Sequence, residues 1–291
     1  MDSTPNLLTV DLEEWFVVEV FARRFGHADW PELPATIVRN SRRLLELFRQ
    51  KGVSATWFCL GWAAERYPDL LREIADNGHE IGCHSFGHRR VDQMDEQAFR
   101  EDTERATEAI SRALDGVRPL GYRAPSWSIN DRVPWAFRVL AELGYKYDSS
   151  IFPIKHDIYG MPQGPRSQFE MKFDNGLRLI EVPSSTFRIG WWNFPISGGG
   201  YLRHSPYWYY RFMINRLNSR GLPAVIYVHP WEIDPDLPAL KDLTMLQRFR
   251  TYGSTSVFYH KLSRLLSDFR FVNMADFIGL HRKRRIGFER A

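Results

Sequence analysis

Apolar, strand-like runs alternate with helical segments along most of the chain, and this alternation constrains the fold more than any other feature. The first run, residues 7–13, is followed at 37–52 by apolar residues with helical spacing, ending in Gly52. The longest helical segment, 95–116, begins with acids and ends in glycine, as helix termini prefer. Strands in a parallel sheet are buried on both faces and are continuously apolar, as these runs are.

The complete pattern predicts a β/α architecture. Strands are predicted at residues 7–13, 55–61, 79–85, 120–126, 145–150, 178–186, 223–232 and 270–274, and helices at 37–52, 68–78, 95–116, 134–144, 205–221 and 254–267. About seven β-then-α units without a linker or repeat predict an α/β fold, a distorted or incomplete (β/α) barrel with about seven parallel strands. We expect one domain over residues 1–291, with a C-terminal helical and strand extension from about residue 240.

Composition excludes several classes of protein. With 44% hydrophobic and 25% charged residues, the chain is typical of globular proteins rather than disordered or fibrous ones. The net charge is only +4 and the basic residues are dispersed, so no nucleic-acid partner is expected. No uninterrupted apolar run reaches the length of about 18 residues that a transmembrane segment needs.

The termini and the cysteines predict a location. The first ten residues lack the basic and apolar regions of a signal peptide, so we expect a cytoplasmic protein. Cys59 and Cys83 lie in strand-like segments and are expected to stay reduced there. The basic stretch 281–290 is first interpreted as a solvated terminus, with peripheral contact to anionic lipid as the alternative.

Polar residues gather where the predicted strands end. They include three acids at the end of the first strand, a pair of histidines, an arginine, a further acid and a last histidine: Asp11, Glu13, Glu14, His84, His88, Arg123, Asp148 and His229. Because the carboxyl ends of barrel strands meet at one mouth, we expect these side chains to lie close together.

His84 and His88 are four residues apart, and with one carboxylate they make a two-histidine, one-carboxylate metal site that leaves a position open for water. Such a histidine pair alone is more often satisfied by ordinary hydrogen bonds, but the neighbouring acids favour a metal. The strand period of two places Asp11 and Glu13 on one face and Glu14 on the other.

Five motifs together resemble a known family. They are TVDLEEW (9–15), HSFGH (84–88), RAPSWS (123–128), YDSS (147–150) and VHPWE (228–232). Their order and approximate spacing resemble the polysaccharide deacetylase family, also called the NodB-homology family or carbohydrate esterase family 4, over residues 7 to about 232. YDSSIFPIKHDIYG and SGGGYLR further resemble its branch found with bacterial exopolysaccharide and exosortase gene systems.

This resemblance implies a metal-dependent hydrolase on a distorted β/α barrel that removes acetyl groups from N-acetylated sugars. By position in the motifs, Asp11 matches the catalytic base and Arg123 the arginine that pairs with it. His84 and His88 match the metal-binding histidines, and His229 matches the general acid. The metal implied is divalent, with zinc first and cobalt, nickel or manganese as alternatives.

Two positions depart from the family's common pattern. The first motif has Asp-Leu-Glu-Glu instead of adjacent acids, so the metal carboxylate is Glu13 or Glu14, and the strand period favours Glu13. Asp148 is a candidate for orienting His229, with a structural role in a turn as the equal alternative.

Aromatic residues supply candidates for saccharide binding. Trp127, Trp191 and Trp192 could form walls of a sugar groove, although core or oligomer contacts explain Trp191 and Trp192 equally well. The resulting hypothesis is N-deacetylation of an amino-sugar-containing saccharide, free or lipid-linked, in bacterial polysaccharide biosynthesis. The alternatives are a deformylase or other amide hydrolase on the same fold, and a non-catalytic saccharide-binding relic.

Overall fold

The computed structural model describes residues 4–156, 159–240, 243–253 and 255–280. Its strands are β1 (Asn6–Leu12), β2 (Thr56–Cys59), β3 (Glu80–Cys83), β4 (Gly121–Tyr122), β5 (Tyr147–Asp148), β6 (Phe169–Lys172), β7 (Arg178–Glu181), β8 (Thr186–Ile189), β9 (Trp192–Pro195), β10 (Val225–Val228) and β11 (Phe271–Val272). Its α-helices are α1 (Glu19–Ala22), α2 (Ile37–Lys51), α3 (Gly61–Arg66), α4 (Pro68–Asp76), α5 (Glu96–Ala113), α6 (Trp135–Glu142), α7 (Gly199–His204), α8 (Tyr207–Asn218), α9 (Met245–Tyr252), α10 (Thr255–Asp268) and α11 (Met274–Phe277).

One curled sheet carries most of the strands, in the order β10-β1-β2-β3-β4-β5-β7-β6, with β11 beside the start of β1. Every pairing is parallel except that of β6 with β7. Among the described residues the two end strands, β10 and β6, do not pair with each other, so the barrel stays open. This confirms the predicted α/β fold with an incomplete barrel.

The helices that cover the sheet follow the sequence signals closely. α2 buries an apolar stripe that includes Ile37, Leu44 and Phe48, and it ends at Gly52 with φ +62°, a left-handed conformation that favours glycine. The Asp95 side chain accepts a hydrogen bond from the Ala98 N–H at the start of α5, which satisfies one of the unpaired donors of the first turn.

Several short elements differ from the prediction. The segment expected as one strand at 178–186 contains β7 and the first residue of β8, which forms a separate hairpin with β9. Residues 151–176, where no strand or helix is predicted, contain β6. α9, which is also not predicted, follows a Thr244–Gln247 capping box. The basic stretch 281–290 lies outside the described residues.

The cysteines are buried neighbours in the sheet. Cys59 and Cys83 stand opposite each other on β2 and β3, and both are free thiols. Burial raises the pKa of both thiols, that of Cys83 to about 12. Separately, none of the helices in the described ranges has the length and apolarity that a bilayer crossing requires.

Candidate active site

Asp11 and Arg123 form a buried ion pair at the carboxyl end of the sheet. Asp11 lies near the end of β1, whose seven residues are all buried, and Arg123 directly follows β4. Arg123 Nη1 donates to Asp11 Oδ1 at 2.7 Å and to Thr9 Oγ1 at 2.8 Å. This pairing holds the Asp11 carboxylate in one orientation, with its Oδ2 free to face the cavity.

The YDSS motif supports this arginine. Arg123 Nη2 donates to Ser149 Oγ at 3.0 Å, and the Ala124 N–H donates to Ser150 Oγ at 2.8 Å. Ser150 Oγ in turn donates to Asp148 Oδ1 at 2.6 Å. The structure therefore gives Asp148 a role in holding the chain around Arg123, and it does not place Asp148 against His229.

Glu13, His84 and His88 offer three ligand atoms that all lie within 4.8 Å of one another. Glu13 Oε2 is 3.0 Å from His88 Nε2. The His84 Nδ1–H donates to the Arg123 carbonyl at 2.7 Å, which leaves the Nε2 lone pair available, as a metal-binding histidine requires. Two imidazoles and one carboxylate fit a divalent metal with an open position.

Glu14 is directed elsewhere. Its carboxylate accepts hydrogen bonds from the N–H groups of Thr36 and Ile37 at 3.0–3.1 Å, so it caps the start of α2. Of the two acids that the sequence left open, only Glu13 faces the histidine pair.

The charges around this donor set suit cation binding. Burial acts to raise the pKa of Glu13, but the positive charge of His88 and the hydrogen bond to His229 outweigh it and lower the pKa to about 2. Burial lowers the pKa of His88 to about 4. An ionised carboxylate and a neutral imidazole are the forms that bind a metal.

Backbone strain is concentrated at the site. Non-glycine residues with positive φ include Ser85 (+65°) and His88 (+58°) in the HSFGH segment, and Ser126 (+51°) and Trp127 (+45°) after β4. Each such conformation costs on the order of 1–3 kcal/mol and persists only where the surroundings enforce it. Strain of this kind is typical of functional segments.

His229 follows β10 and reaches both carboxylates of the first strand. Its Nε2 lies 3.1 Å from Glu13 Oε1 and 3.9 Å from Asp11 Oδ2. On the other side of the ring, Nδ1 is 3.2 Å from Glu232 Oε2, which also accepts the His229 N–H at 2.9 Å. Burial acts to lower the pKa of His229, but the hydrogen bonds to Glu13 and Glu232 outweigh it and raise the pKa to about 10.

Glu232 is a residue of the candidate site that the sequence analysis missed. It occupies the third position of a short helical turn capped by His229. An acid three residues after the residue that caps a helix is a sequence signal for a capping box, and it could have indicated the contact between Glu232 and His229. Arg203 Nε lies 3.4 Å from Glu232 Oε1, and both side chains are buried. A Cβ at Gly199 would overlap the Glu232 carboxylate, which explains a glycine in the SGGGYLR segment.

Asp11, the Glu13–His84–His88 donor set, His229 and Glu232 open into one cavity of about 630 Å³. Its polar lining includes Asp11, Glu13, His84, His88, His229 and Glu232, and its aromatic lining includes Trp127, Tyr159, Tyr201, Tyr227, Trp231 and Phe249. Trp127 thus borders the cavity. Trp191 and Trp192 do not line it; they lie at the tip of the β8–β9 hairpin, 83% and 59% exposed.

Two family models match the chain in succession. Residues 30–147 match the polysaccharide deacetylase family, and residues 149–279 match a domain of unknown function, DUF3473. Strands from both regions build the same sheet, since β5, at the end of the first region, pairs with β7 of the second. β1 precedes both regions and pairs with β2 of the first and β10 of the second. The cavity likewise takes His84 and His88 from the first region and His229 from the second.

Curated relatives cover part of the chain. A peptidoglycan deacetylase of Helicobacter pylori is 33% identical over 109 residues, which are 38% of this chain and 36% of the relative. A chitooligosaccharide deacetylase of Rhizobium leguminosarum is 31% identical over 75 residues, 26% of this chain and 35% of the relative. The chain thus spans little more than a third of the length of these proteins.

Solved structures share the fold over nearly the whole chain. A Mycobacterium smegmatis protein assigned to the polysaccharide deacetylases has a TM-score of 0.58 at 22% identity, covering 98% of this chain and 96% of its own. The Puue allantoinase has a TM-score of 0.60 at 16% identity, covering 94% and 88%. Residues 30–147 therefore match a polysaccharide deacetylase domain, and these solved structures show that nearly the whole chain shares their fold.

Proposed function

We propose that this chain is a metal-dependent hydrolase that removes N-acetyl groups from an amino-sugar-containing saccharide in bacterial polysaccharide biosynthesis. One observation carries the proposal: a single cavity brings the Asp11–Arg123 pair, the Glu13–His84–His88 donor set and His229 together. The names of the matched relatives, deacetylases of peptidoglycan and of chitooligosaccharide, support this reaction type.

Glu13, His84 and His88 would hold the metal, with zinc as the first choice for two imidazoles and a carboxylate, and cobalt, nickel or manganese as alternatives. When bound, a divalent metal lowers the pKa of a coordinated water and polarises the amide carbonyl. Asp11 Oδ2 accepts the proton of the attacking water, while Arg123 holds Oδ1 and keeps the carboxylate from rotating.

His229 acts as the general acid from the end of β10, the strand that neighbours β1. Its Nε2 points toward Asp11 and Glu13, so it is placed to give a proton to the departing amine nitrogen. An amide leaving group needs this proton, since an amine anion is a very poor leaving group. Glu232, on Nδ1, is a positioning residue that fixes the ring and its tautomer.

The aromatic wall accounts for binding of the sugar. Tyr159, Tyr201 and Trp127 border the cavity and offer flat apolar faces on which sugar rings pack. A cavity of about 630 Å³ lies in the range of pockets for small ligands, so we propose a short N-acetylated saccharide or a chain end, free or lipid-linked, as substrate.

Acetate release from N-acetylglucosamine oligomers by the zinc-loaded protein tests the proposal. Asp11→Asn should keep zinc but lose activity by at least about 10²-fold, the contribution of general base catalysis. His84→Ala should lose the zinc itself, measured by elemental analysis. His260→Ala, on an exposed face of α10, is the control for both measurements.

The opposite results are equally specific. Equal zinc content in wild type and His84→Ala would remove His84 from the metal site. A fully metal-loaded wild type that releases formate from N-formylated oligomers, but no acetate from acetylated ones, would replace acetyl by formyl as the substrate group. Release of neither, across both substrate series, would contradict the proposed hydrolase.

A further inference from the structure

The β8–β9 hairpin presents an apolar face to solvent. Its two-residue turn starts at Gly190, whose φ is +59°, as the tight hairpin turns require. Phe187 pairs with Phe194 and Ile189 with Trp192, so these four side chains share one face of the hairpin. Ile189 is 54% exposed and Phe194 41% exposed, with Trp191 and Trp192 still more exposed at the tip.

Helix α8 continues this face. The Phe187 ring lies 6.5 Å from the Phe212 ring, which links the hairpin to the helix. Phe212 is 55% exposed and Trp208 is 71% exposed; the two are four residues apart and therefore share a helix face. Exposed large apolar groups that adjoin in this way are uncommon on a free protein surface and mark a contact site.

The charges around this face are of one sign. Residues 182–231 contain five arginines and no aspartate or glutamate. Arg203 and Arg211 pair with Glu232 and Asp268, whereas Arg188, Arg216 and Arg220 are exposed and have no ion pair with any acid in the described parts of the chain.

A further arginine lies within reach of this group. Arg166 donates to the Thr186 hydroxyl and carbonyl, so it lies beside the start of the hairpin. Partial burial, and then the charges of Arg188 and Arg220, lower its pKa. Arg166, Arg188 and Arg220 therefore form one positive patch. Because Thr186 and Arg188 alternate with Phe187 and Ile189 along β8, this patch lies on the side of the hairpin opposite the apolar face.

We propose that the β8–β9 hairpin and the exposed face of α8 bind peripherally to a bilayer surface that contains anionic phospholipid. Exposed tryptophans are the side chains best suited to the interfacial zone of a membrane, since an apolar ring and a polar N–H meet there. Arginines without acidic partners complement the negative surface potential. A second copy of the chain is a poorer fit, because the exposed Arg216, which shares a face of α8 with Trp208 and Phe212, would face its own copy across a twofold interface.

Vesicle sedimentation of the full-length protein tests the proposal. Wild type should sediment with vesicles of equal phosphatidylcholine and phosphatidylglycerol, and much less with phosphatidylcholine alone or at high salt. Arg188→Glu combined with Arg220→Glu should weaken binding at least about thirtyfold, since each arginine near an anionic surface contributes about fivefold. Trp191→Ser combined with Trp192→Ser should also abolish quenching of tryptophan fluorescence by brominated lipid.

Matched controls separate this surface from others. Val117→Ser combined with Leu177→Ser removes exposed apolar groups elsewhere, and Arg112→Glu reverses an exposed charge on α5; both should bind as wild type does. Unchanged sedimentation of folded hairpin variants, with binding lost only when the basic stretch 281–290 is neutralised, would overturn the proposal. The proposal would also be overturned if the wild-type protein did not sediment with anionic vesicles. The same holds if the hairpin variants changed their oligomeric state but not their binding to vesicles.

Discussion

Replacing Glu232 by glutamine isolates the positioning of the proposed general acid. The variant keeps the side-chain volume but removes the negative charge that accepts from both the His229 N–H and Nδ1, at 2.9 and 3.2 Å. The imidazole then loses the partner that fixes its tautomer, and a correctly placed general acid contributes about 10²–10⁴-fold to turnover. We expect kcat on an N-acetylated oligosaccharide to fall by that factor, about 3–5 kcal/mol of transition-state stabilisation, with little change in KM.

The ratio of amide to ester turnover gives the sharper readout. An activated acetyl ester has a leaving group that needs little protonation, so its hydrolysis should fall less than about tenfold in Glu232→Gln. The variant should also unfold more readily, by about 1.5–3 kcal/mol, because it loses hydrogen bonds to a charged group. Urea unfolding measures this loss independently of activity.

Asp234 provides a matched control two residues away. It is as buried as Glu232, but it accepts from Arg39 and Asn40 at 2.7 and 2.9 Å and does not line the cavity. Asp234→Asn should lower stability without altering the amide-to-ester ratio. If Glu232→Gln keeps the wild-type ratio, or if both variants lose amide turnover equally, the positioning role is refuted.

Three further predictions concern other parts of the chain. His79 Nδ1 accepts from the Ala55 N–H, and burial lowers the pKa of His79 to about 4. The neutral ring therefore stabilises the folded protein fully above the unfolded pKa of about 6.5. This stabilisation is lost as the pH falls, by up to about 2 kcal/mol between about pH 7 and pH 5. Urea unfolding at both pH values should show a smaller loss in His79→Gln than in wild type or His260→Gln, and equal losses would contradict it. Cys59 and Cys83 should react with a thiol reagent only after unfolding without reductant, giving two thiols; finding none would show that they are oxidised. Gly199→Ala should reduce amide turnover as Glu232→Gln does, because its Cβ displaces the Glu232 carboxylate, whereas Gly200→Ala has room for its Cβ and should not.

The strands of the parallel sheet were predictable because they are buried on both faces. β1, β2, β3 and β10 consist entirely of buried residues. Each therefore stands out in the sequence as an uninterrupted, mainly apolar run. β6 alternates half-buried and exposed positions, with Glu170 and Lys172 outward, at the edge of the sheet. Its four residues carry too short a pattern to be recognised in a segment rich in proline and glycine.

The positions of site residues were predictable where each side chain lies at the end of a single strand. They were less predictable where a residue's placement depends on contacts with another strand or segment. Asp11, Arg123 and His229 follow from the rule that strand ends meet at one mouth. Asp148 stands in register with Glu181 on β7, and a pairing of β5 with β7 that passes over β6 is not visible in sequence order. The placement of Glu232 was not predictable from its own strand end, because its carboxylate packs against Gly199, which lies more than thirty residues earlier.

The central place of β1 has a consequence for synthesis of the protein. During synthesis β1 can pair with β2 early. Its other edge stays unpaired until β10 has been made, since Leu7 pairs with Val225. At ribosomal rates of about 5–20 residues per second, this edge stays unpaired for roughly 10–40 s. An open strand edge readily joins other chains, so the nascent protein depends on shielding during that interval. Asp11 meets His229 only when β10 docks, and the arrangement proposed for catalysis is therefore among the last features to form.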